Sequence, residues 1–272
     1  MLEKIINGNG FNAIVKGKYG YVVYNKNDMY IGKAIEKYGE FSESEVELFR
    51  DLCDEGDIVI DIGANIGTHT MVFSQLVGPE GRVFAFEPQR IVFQTLCANM
   101  AINSISNVEC YQVALSAREG FLFVPDVRYD KEGNFGGIEI TKAKQGVRIP
   151  AVKLDNFLRV PKLKLIKIDV EGMESDVLAG ATRAIQQHKP IIYLENDRVE
   201  KSKQLIELIW SLKYRAYWHF APLFNPSNFY ACQENLFPNL YSINMLCVHK
   251  SSALDTSRFP EVSDSDYHPF RH

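Results

Sequence analysis

The sequence alternates short apolar runs with segments of helical spacing, and this alternation restricts its fold more than any other feature. Runs such as "IVIDI", "RVFAF", "LIKI" and "PIIYLE" are each followed by a segment whose apolar residues recur with the period of a helix. Short apolar runs separated by helices are typical of a parallel sheet that is covered on both faces. We therefore predict an α/β fold, with a Rossmann-like core, a mostly parallel sheet and helices on both of its faces.

The N-terminal residues 1–55 predict a small extension of this core. Residues 14–31 have the Tyr and Val content and the turn residues of a β-hairpin. Ser42 and Glu45 then have the spacing of a capping box, which begins a helix that ends at Gly56. We expect the hairpin and this helix to form one unit with the core.

The core itself is predicted over residues 56–250. Two additional strands, "FLFVP" and "VRIPAVKL", interrupt it and flank a loop. From Ser251 the sequence is polar and aperiodic, so residues 251–272 are predicted to form a loosely ordered tail.

Composition and charge restrict the function. The 272 residues are 46% hydrophobic and 24% charged, as in ordinary folded domains, and the formal charge of −4 counts against nucleic-acid binding. No apolar run approaches the roughly 20 residues that span a bilayer, and the N-terminus lacks the layout of a signal peptide. The five cysteines are scattered without a C-x-x-C pair, which favours reduced thiols. These features predict a cytoplasmic protein without a membrane span.

The turn "DIGANIG" after the first core strand predicts a binding site. In such sheets ligands bind at the carboxyl ends of the strands. Gly63 can adopt a positive φ and lets a ligand lie against the backbone, and Gly67 lets the next helix begin close to the sheet. The spacing differs from the G-x-G-x-x-G of dinucleotide sites, and Asp61 leads it. This carboxylate would repel a pyrophosphate and attract a cation such as an amino group or a sulfonium; the alternative is a tight turn without a ligand.

A second carboxylate follows the next strand. Glu87 in "FAFEP" comes about 20 residues after Gly67, where an acidic side chain can accept hydrogen bonds from both ribose hydroxyls. The alternative is a solvated loop residue. Together the turn and this carboxylate favour a nucleoside ligand.

Several motifs resemble one family in their order along the chain. The motifs "DIVIDIGANIGTHT", "VFAFEP", "VALS", "VKLDNFL", "LIKIDVEGMESDVLAGA" and "PIIYLEN" resemble those of FkbM-type S-adenosylmethionine-dependent methyltransferases. The resemblance covers roughly residues 30–250 and implies a class I methyltransferase fold, a seven-stranded sheet whose last strand is antiparallel. It also implies S-adenosylmethionine as the methyl donor and usually a hydroxyl as the acceptor.

The resemblance also implies roles for individual residues. Glu87 would hold the ribose, and Asp169 would face the methionine end and the reacting methyl group. Independently of the resemblance, the position of Tyr38 and Glu40 in "KYGEF" predicts either that they close over the cofactor or that they only begin the helix that follows. The other cofactor-binding residues implied are Asp61, Gly63, Ala64, Asn65 and Gly67 at the methionine part, and Val113 and Ala114 near the adenine.

Transfer to a hydroxyl also requires a group that takes up its proton. Asp169, Glu195 and His219 are candidates because each lies at or near the end of a predicted strand. Each has a simpler alternative: Asp169 as a helix N-cap, Glu195 as an ordinary polar strand end, and His219 as a packed histidine between Trp218 and Phe220. Lys167 is expected to face the same side as Asp169, as its salt-bridge partner.

Asp169, Glu171 and Glu195 would bind a divalent cation only if their oxygens converged, and we predict no metal. The stretches "NFGGIEI" and "HFAPLFNPSNFYACQEN" mix aromatic residues with Asn and Gly, which suits a polyhydroxylated acceptor.

The sequence thus predicts an O-methyltransferase that acts on a hydroxyl of a saccharide or another polar metabolite. Oligomeric state is open. The alternatives are an N-methyltransferase, a nicotinamide-dependent oxidoreductase and a non-catalytic interaction module.

Overall fold

A computed structural model describes residues 4–6, 9–140 and 145–270, with the backbone alone for residues 4–6. The strands are β1 (Lys4–Ile6), β2 (Asn12–Gly17), β3 (Gly20–Asn25), β4 (Ile58–Ile62), β5 (Arg82–Phe86), β6 (Val108–Tyr111), β7 (Ala114–Leu115), β8 (Gly120–Val124), β9 (Val147–Val152), β10 (Leu165–Ile168), β11 (Ile191–Glu195), β12 (Tyr214–Pro222) and β13 (Tyr241–His249). The helices are α1 (Ile31–Tyr38), α2 (Glu43–Leu52), α3 (Thr68–Val77), α4 (Arg90–Ile102), α5 (Leu154–Phe157), α6 (Glu174–Gly180), α7 (Thr182–His188) and α8 (Val199–Ser211).

The central sheet has seven strands in the order β12-β13-β11-β10-β4-β5-β6. Neighbouring strands from β11 to β6 are parallel, whereas β13 is antiparallel to both β11 and β12. This order confirms the predicted α/β class, the mostly parallel sheet and the antiparallel last strand.

Helices cover both faces of this sheet because its central strands are apolar on both sides. In β4, Ile58 and Ile60 pack in a cluster with residues of α6, α7 and α8, while Val59 between them packs with α2 and α3 in a second cluster. All five residues of β4 are buried, including the carboxylate of Asp61. This strand therefore has an interior position, and its carboxyl end opens at the middle of the sheet edge.

Two smaller sheets flank the central one. The strands β1, β2 and β3 form an antiparallel sheet. In the other small sheet, β9 pairs antiparallel to β8 and parallel to β7. The predicted hairpin ends earlier than expected, since α1 already begins at Ile31. The segment "VECYQVAL" is divided between β6 of the central sheet and β7 of a small sheet.

The predicted capping box at the start of α2 is wrong. Ser42 precedes α2 with a positive φ of 50° and makes no side-chain bond to the helix backbone. Its hydroxyl instead donates a hydrogen bond of 2.9 Å to Glu45 Oε1. Glu45 is buried and lies beside the cleft described below.

The C-terminal residues pack onto β12, in contrast to the loosely ordered tail expected from the sequence. Trp218 N donates to Pro260 O and Val262 N to Ala216 O, both at 2.8 Å. The Val262 side chain is buried in the main hydrophobic cluster. A polar, aperiodic sequence can still cover a sheet edge through backbone hydrogen bonds, which leave no pattern in the sequence.

Within the described residues, no helix combines the length and the apolar character that a membrane span requires.

Candidate functional site

A cleft opens at the carboxyl ends of the central strands. A smaller cavity adjoins it on the side of β5 and β7. Both are lined by the same group of residues where they meet, namely Gly63, Glu87, Gly136, Asp169 and Glu171. This is the edge where parallel α/β sheets bind ligands.

The turn after β4 forms the floor of the cleft. Gly63 has a φ of +75°, and a Cβ at this position would lie 1.7 Å from the carbonyl oxygen of Asp169. The amides of Gly63 and Ala64 donate to Phe86 O at 2.9 and 3.0 Å. Asn65 has a positive φ of 50°. The turn therefore holds the loops after β4, β5 and β10 against one another and leaves exposed backbone at the cleft.

Glu87 lies between the two cavities and is only 4% exposed. Its Oε2 accepts a hydrogen bond from Asn65 N at 3.1 Å, and its Oε1 accepts one from Gln89 N at 2.7 Å. Burial raises the pKa of the carboxyl to about 7, although these backbone donors act to lower it. The side chain is thus fixed, and each oxygen keeps a lone pair for a ligand hydroxyl.

One part of the smaller cavity has an apolar lining. Val113 and Ala114 line it, as the resemblance implies, together with Ile138, Ile140 and Met173. A flat heterocycle such as adenine fits a lining of this kind.

Asp61 does not line either cavity. Its Oδ2 accepts a hydrogen bond of 2.6 Å from Thr70 Oγ1, and its Oδ1 lies 3.4 Å from Lys167 Nζ. Lys167 Nζ also lies 3.4 Å from Asp169 Oδ2, as expected from the sequence, and 3.4 Å from Gly63 O. Burial acts to lower the pKa of Lys167, but the charges of Asp61, Asp169 and Glu45 raise it above its usual value. Asp61 therefore holds a buried ammonium beneath the cleft.

Three carboxylates from two segments converge at the wall of the cleft. Asp169, Glu171 and Glu195 each place an oxygen within 4.8 Å of the others. Burial and the Asp169 charge raise the pKa of Glu171 to about 8 and that of Glu195 well above its usual value. Glu195 Oε2 is buried without a hydrogen-bond partner among the described residues. Such a group favours the approach of positive charge or of hydroxyl donors.

Arg198 closes one side of this wall. Its guanidinium pairs with Glu171, with Asp197 at 2.6 Å and with Glu139 at 3.3 Å. Arg198 and Lys167 thus already pair with two of the three converging carboxylates. The three oxygens could be ligands of a divalent cation, but these two ion pairs compete with that role.

Tyr38 and Glu40 lie outside the cleft lining. The Tyr38 hydroxyl donates to Glu234 O at 3.0 Å and accepts from Leu236 N at 2.8 Å. Glu40 accepts hydrogen bonds from Asn225 Nδ2 and from the Phe229 amide. These two residues connect α1 to the segment 225–236, whose neighbours Leu223, Leu240 and Tyr241 form part of the cleft wall.

Gly67 and His219 are also absent from the cleft lining. At Gly67 a Cβ would lie 2.6 Å from Leu96, so this glycine permits close packing between α3 and α4. His219 Nδ1 lies 2.8 Å from the Tyr193 hydroxyl, and its ring packs against Phe259. Burial lowers the pKa of His219 to about 4. The simpler reading of His219 as a packed histidine fits this placement, and we remove it from the candidate bases.

The residues predicted from the sequence do not include the histidine that lines the cleft. His69, two residues after Gly67, lines the cleft together with Glu45 and Asn244. Burial raises the pKa of Glu45 to about 7, and its Oε1 accepts hydrogen bonds from Ser42 Oγ and Asn244 Nδ2. The motif "GTHT" contained the one available signal, since a histidine so close to the glycine turn must lie near the sheet edge.

Comparison with known proteins identifies the family. The sequence model of the methyltransferase FkbM domain matches residues 61–216. The chain belongs to this family. The match begins at Asp61 and includes Gly63, Glu87, Asp169 and Glu195.

Two curated relatives illustrate the range of the family. "Methyltransferase 1" of Beauveria bassiana is 31% identical over 161 residues, which cover 49% of this chain and 64% of the relative. "Hexuronic acid methyltransferase AglP" of Haloferax volcanii is 30% identical over 145 residues, which cover 52% of this chain and 56% of the relative. This chain thus spans less than two thirds of the length of either relative.

A solved structure of the family is also similar. The crystal structure of methyltransferase FkbM from Methylobacillus flagellatus has a TM-score of 0.45 and 18% identity, over 75% of this chain and 50% of that one. At this level the likeness adds nothing to the fold assignment, which rests on the strand order.

Proposed function

We propose that this chain transfers a methyl group from S-adenosylmethionine to an oxygen atom of a saccharide or a similar polar metabolite. The observation that carries the proposal is the joint placement of Gly63, Glu87 and Asp169 at the junction of the smaller cavity and the carboxylate-walled cleft. Membership of the FkbM family supports a methyltransferase and gives no support to the nicotinamide-dependent alternative.

The residues present fit the donor. The adenine would occupy the smaller cavity beside Val113 and Ala114, and Glu87 would accept hydrogen bonds from the ribose hydroxyls. The bare backbone at Gly63 leaves room that a Cβ would fill, and Asp169 supplies negative charge next to it. S-adenosylmethionine would supply a methyl group activated by a positively charged sulfur, and these residues would bind and orient it.

The acceptor would enter the cleft beside Glu195 and Tyr241, which do not line the smaller cavity. Asn134 and Gly137 of the loop between β8 and β9 also line the cleft alone, as do Leu223 and Leu240. In transfer to oxygen, the new bond to the methyl carbon forms as its bond to sulfur breaks, and the hydroxyl proton passes to a base. Asp169 and Glu195 are the candidate bases, and a nearby positive sulfur would help Glu195 to ionise.

Two considerations favour oxygen over nitrogen and a saccharide over other acceptors. The name of the relative from Haloferax volcanii specifies a hexuronic acid. Such an acid offers hydroxyl and carboxylate oxygens and no nitrogen. The cleft of this chain presents several carboxylate oxygens to an entering molecule, and these accept hydrogen bonds from sugar hydroxyls.

The test has two stages. Calorimetry should first show that the wild type binds S-adenosylmethionine and S-adenosylhomocysteine. A panel of glycosides and polar metabolites is then incubated with the protein and the donor, and mass spectrometry should detect the gain of one methyl group on a compound with free hydroxyls. Asp169→Asn and Glu195→Gln should each reduce turnover while leaving the melting temperature near that of the wild type. Failure of the wild type to bind either adenosine compound would contradict the proposal.

A further inference from the structure

A buried histidine at the cleft has a ring nitrogen without a partner. His69 is 5% exposed and lines the cleft. Its ring packs against Phe41 and, edge to face, against Phe49. No described atom forms a hydrogen bond with its Nε2. Native structures rarely leave a buried nitrogen unsatisfied, because nothing then replaces the hydrogen bonds to water that it has lost.

The nearest acidic group does not satisfy this nitrogen. Glu45 Oε2 lies 3.8 Å from His69 Nε2, which is longer than a hydrogen bond. Burial and the nearby charge of Lys167 lower the pKa of His69 well below its usual value, so the imidazole is neutral and forms no ion pair. The two side chains thus present a carboxylate acceptor and a ring nitrogen to the same gap.

The 3.8 Å between Glu45 Oε2 and His69 Nε2 suits two adjacent polar groups of one ligand that face them side by side, such as the ammonium and carboxylate of an α-amino acid. The bond lengths of an amino acid place its ammonium nitrogen about 3 Å from its carboxylate oxygens. A neutral imidazole that carries its proton on Nε2 can donate to one such oxygen, while Glu45 Oε2 accepts from the ammonium. Lys167, whose charge affects both side chains, lies 3.4 Å from Gly63 O, so the gap is close to the glycine turn.

We propose that Glu45 and His69 hold the α-amino-acid group of the methyl donor. Glu45 Oε2 accepts a hydrogen bond from the ammonium, and His69 Nε2–H donates one to the carboxylate. This inference rests on the proposed function, because it assumes an adenosine donor that carries an amino acid. The contact with the methionine part of the donor, predicted from the sequence for Asp61, is thus made by Glu45 of α2 and by His69 in the first turn of α3.

Asp61 cannot make this contact in the observed arrangement. Its Oδ2 accepts from Thr70, its Oδ1 faces Lys167, and it is fully buried beneath the cleft. The Glu45 carboxylate lines the cleft and has an oxygen directed at the gap. Its Oε1 is held by Ser42 and Asn244, so the other oxygen has a defined position.

The experiment compares two ligands that differ only in the amino acid. S-adenosylhomocysteine carries it, whereas in 5′-methylthioadenosine a methyl group replaces it. Dissociation constants of both are measured by calorimetry for the wild type, Glu45→Gln and His69→Phe. Glutamine keeps the shape of Glu45, and phenylalanine keeps the ring that packs against Phe41 and Phe49. Glu43→Gln is the matched control, since Glu43 is a buried glutamate of the same helix that pairs with Lys18 and Tyr19.

We expect Glu45→Gln and His69→Phe each to weaken S-adenosylhomocysteine by about tenfold, the loss of one charge-assisted or buried hydrogen bond. Binding of 5′-methylthioadenosine should change by less than about twofold, and Glu43→Gln should resemble the wild type. Equal losses for both ligands, or no loss for S-adenosylhomocysteine, would overturn this inference and leave the proposed function standing. If the wild type binds neither ligand, the proposed function is overturned as well.

Discussion

Gly63 shows how one residue connects the fold to the site. Its φ of +75° and the Asp169 carbonyl oxygen, 1.7 Å from where a Cβ would lie, both require glycine. We expect Gly63→Ala to lower the free energy of unfolding by at least about 2 kcal/mol, through the positive φ and the overlap with backbone. Denaturation in urea would measure the change, and S-adenosylhomocysteine binding should fall with it. Gly10→Ala is the control because nothing lies within 4 Å of its Cβ position. A Gly63→Ala variant as stable as this control would contradict the claim that position 63 requires glycine.

At the scale of residues, the sequence was informative where a backbone requirement selects the residue type. Gly63 and Glu87 were predicted from the turn and from their spacing, and both lie at the cleft. The sequence pointed to His219 as a site residue and not to His69, whereas the structure has the opposite arrangement. His219 was chosen because it lies near a strand end, yet its ring turns to Tyr193 and Phe259, while His69 was passed over although it faces the cleft. Side-chain direction depends on packing partners far along the chain, which local spacing does not reveal.

At the scale of elements, apolar periodicity predicted the central strands and most of the helices. The prediction of the helix start failed, because the side chains there form hydrogen bonds to each other and not to the backbone. Ser42 and Glu45 have the spacing of a capping box, but Ser42 adopts a positive φ and both side chains belong to a buried polar group beside the cleft. Residue spacing alone cannot distinguish a capping box from a buried polar group, because it carries no information on whether the start of the helix is buried.

The tail provides a prediction at the same scale. Val262 is buried against β12 and its amide bonds to Ala216 O. Val262→Ala should lower the free energy of unfolding by about 2 kcal/mol, from the apolar area and the cavity that it leaves. Ser263→Ala, at an exposed neighbouring position, should change it by less than about 0.5 kcal/mol. Urea denaturation of the two variants would measure this difference, and equal stabilities would show that the tail does not cover the sheet in solution.

At the scale of the whole molecule, the cleft gathers acidic side chains from distant segments. Glu45 comes from α2, Glu87 follows β5, Glu171 follows β10 and Glu195 ends β11. The sequence predicted the carboxylates that follow strands, because parallel strands end at one edge. It did not predict the contribution of α2, because helix packing over the cleft depends on the tertiary fold. The assembled site is more acidic than any one motif, and this excess of carboxylates affects ligand binding.

Burial leaves these carboxyls partly protonated near neutral pH. It raises the pKa of Glu45 and of Glu87 to about 7 and, together with the Asp169 charge, that of Glu171 to about 8. A bound sulfonium stabilises the ionised form and lowers each pKa, so protons are released as the donor binds. S-adenosylhomocysteine lacks the positive sulfur and should release fewer protons. Affinity for a ligand that displaces protons increases as the pH rises, because fewer protons remain to be removed.

We therefore expect the affinity for S-adenosylmethionine relative to S-adenosylhomocysteine to rise between about pH 6 and pH 7.5, by at most about tenfold per pH unit for each proton released. Calorimetry in buffers of different ionisation enthalpy would count the protons directly. Glu171→Gln is the informative variant: it removes the group with a pKa of about 8, so the ratio should then depend less on pH. A ratio that stays constant with pH in the wild type would mean that the sulfur binds away from these carboxylates, and the placement of the methyl group beside Asp169 would have to be abandoned.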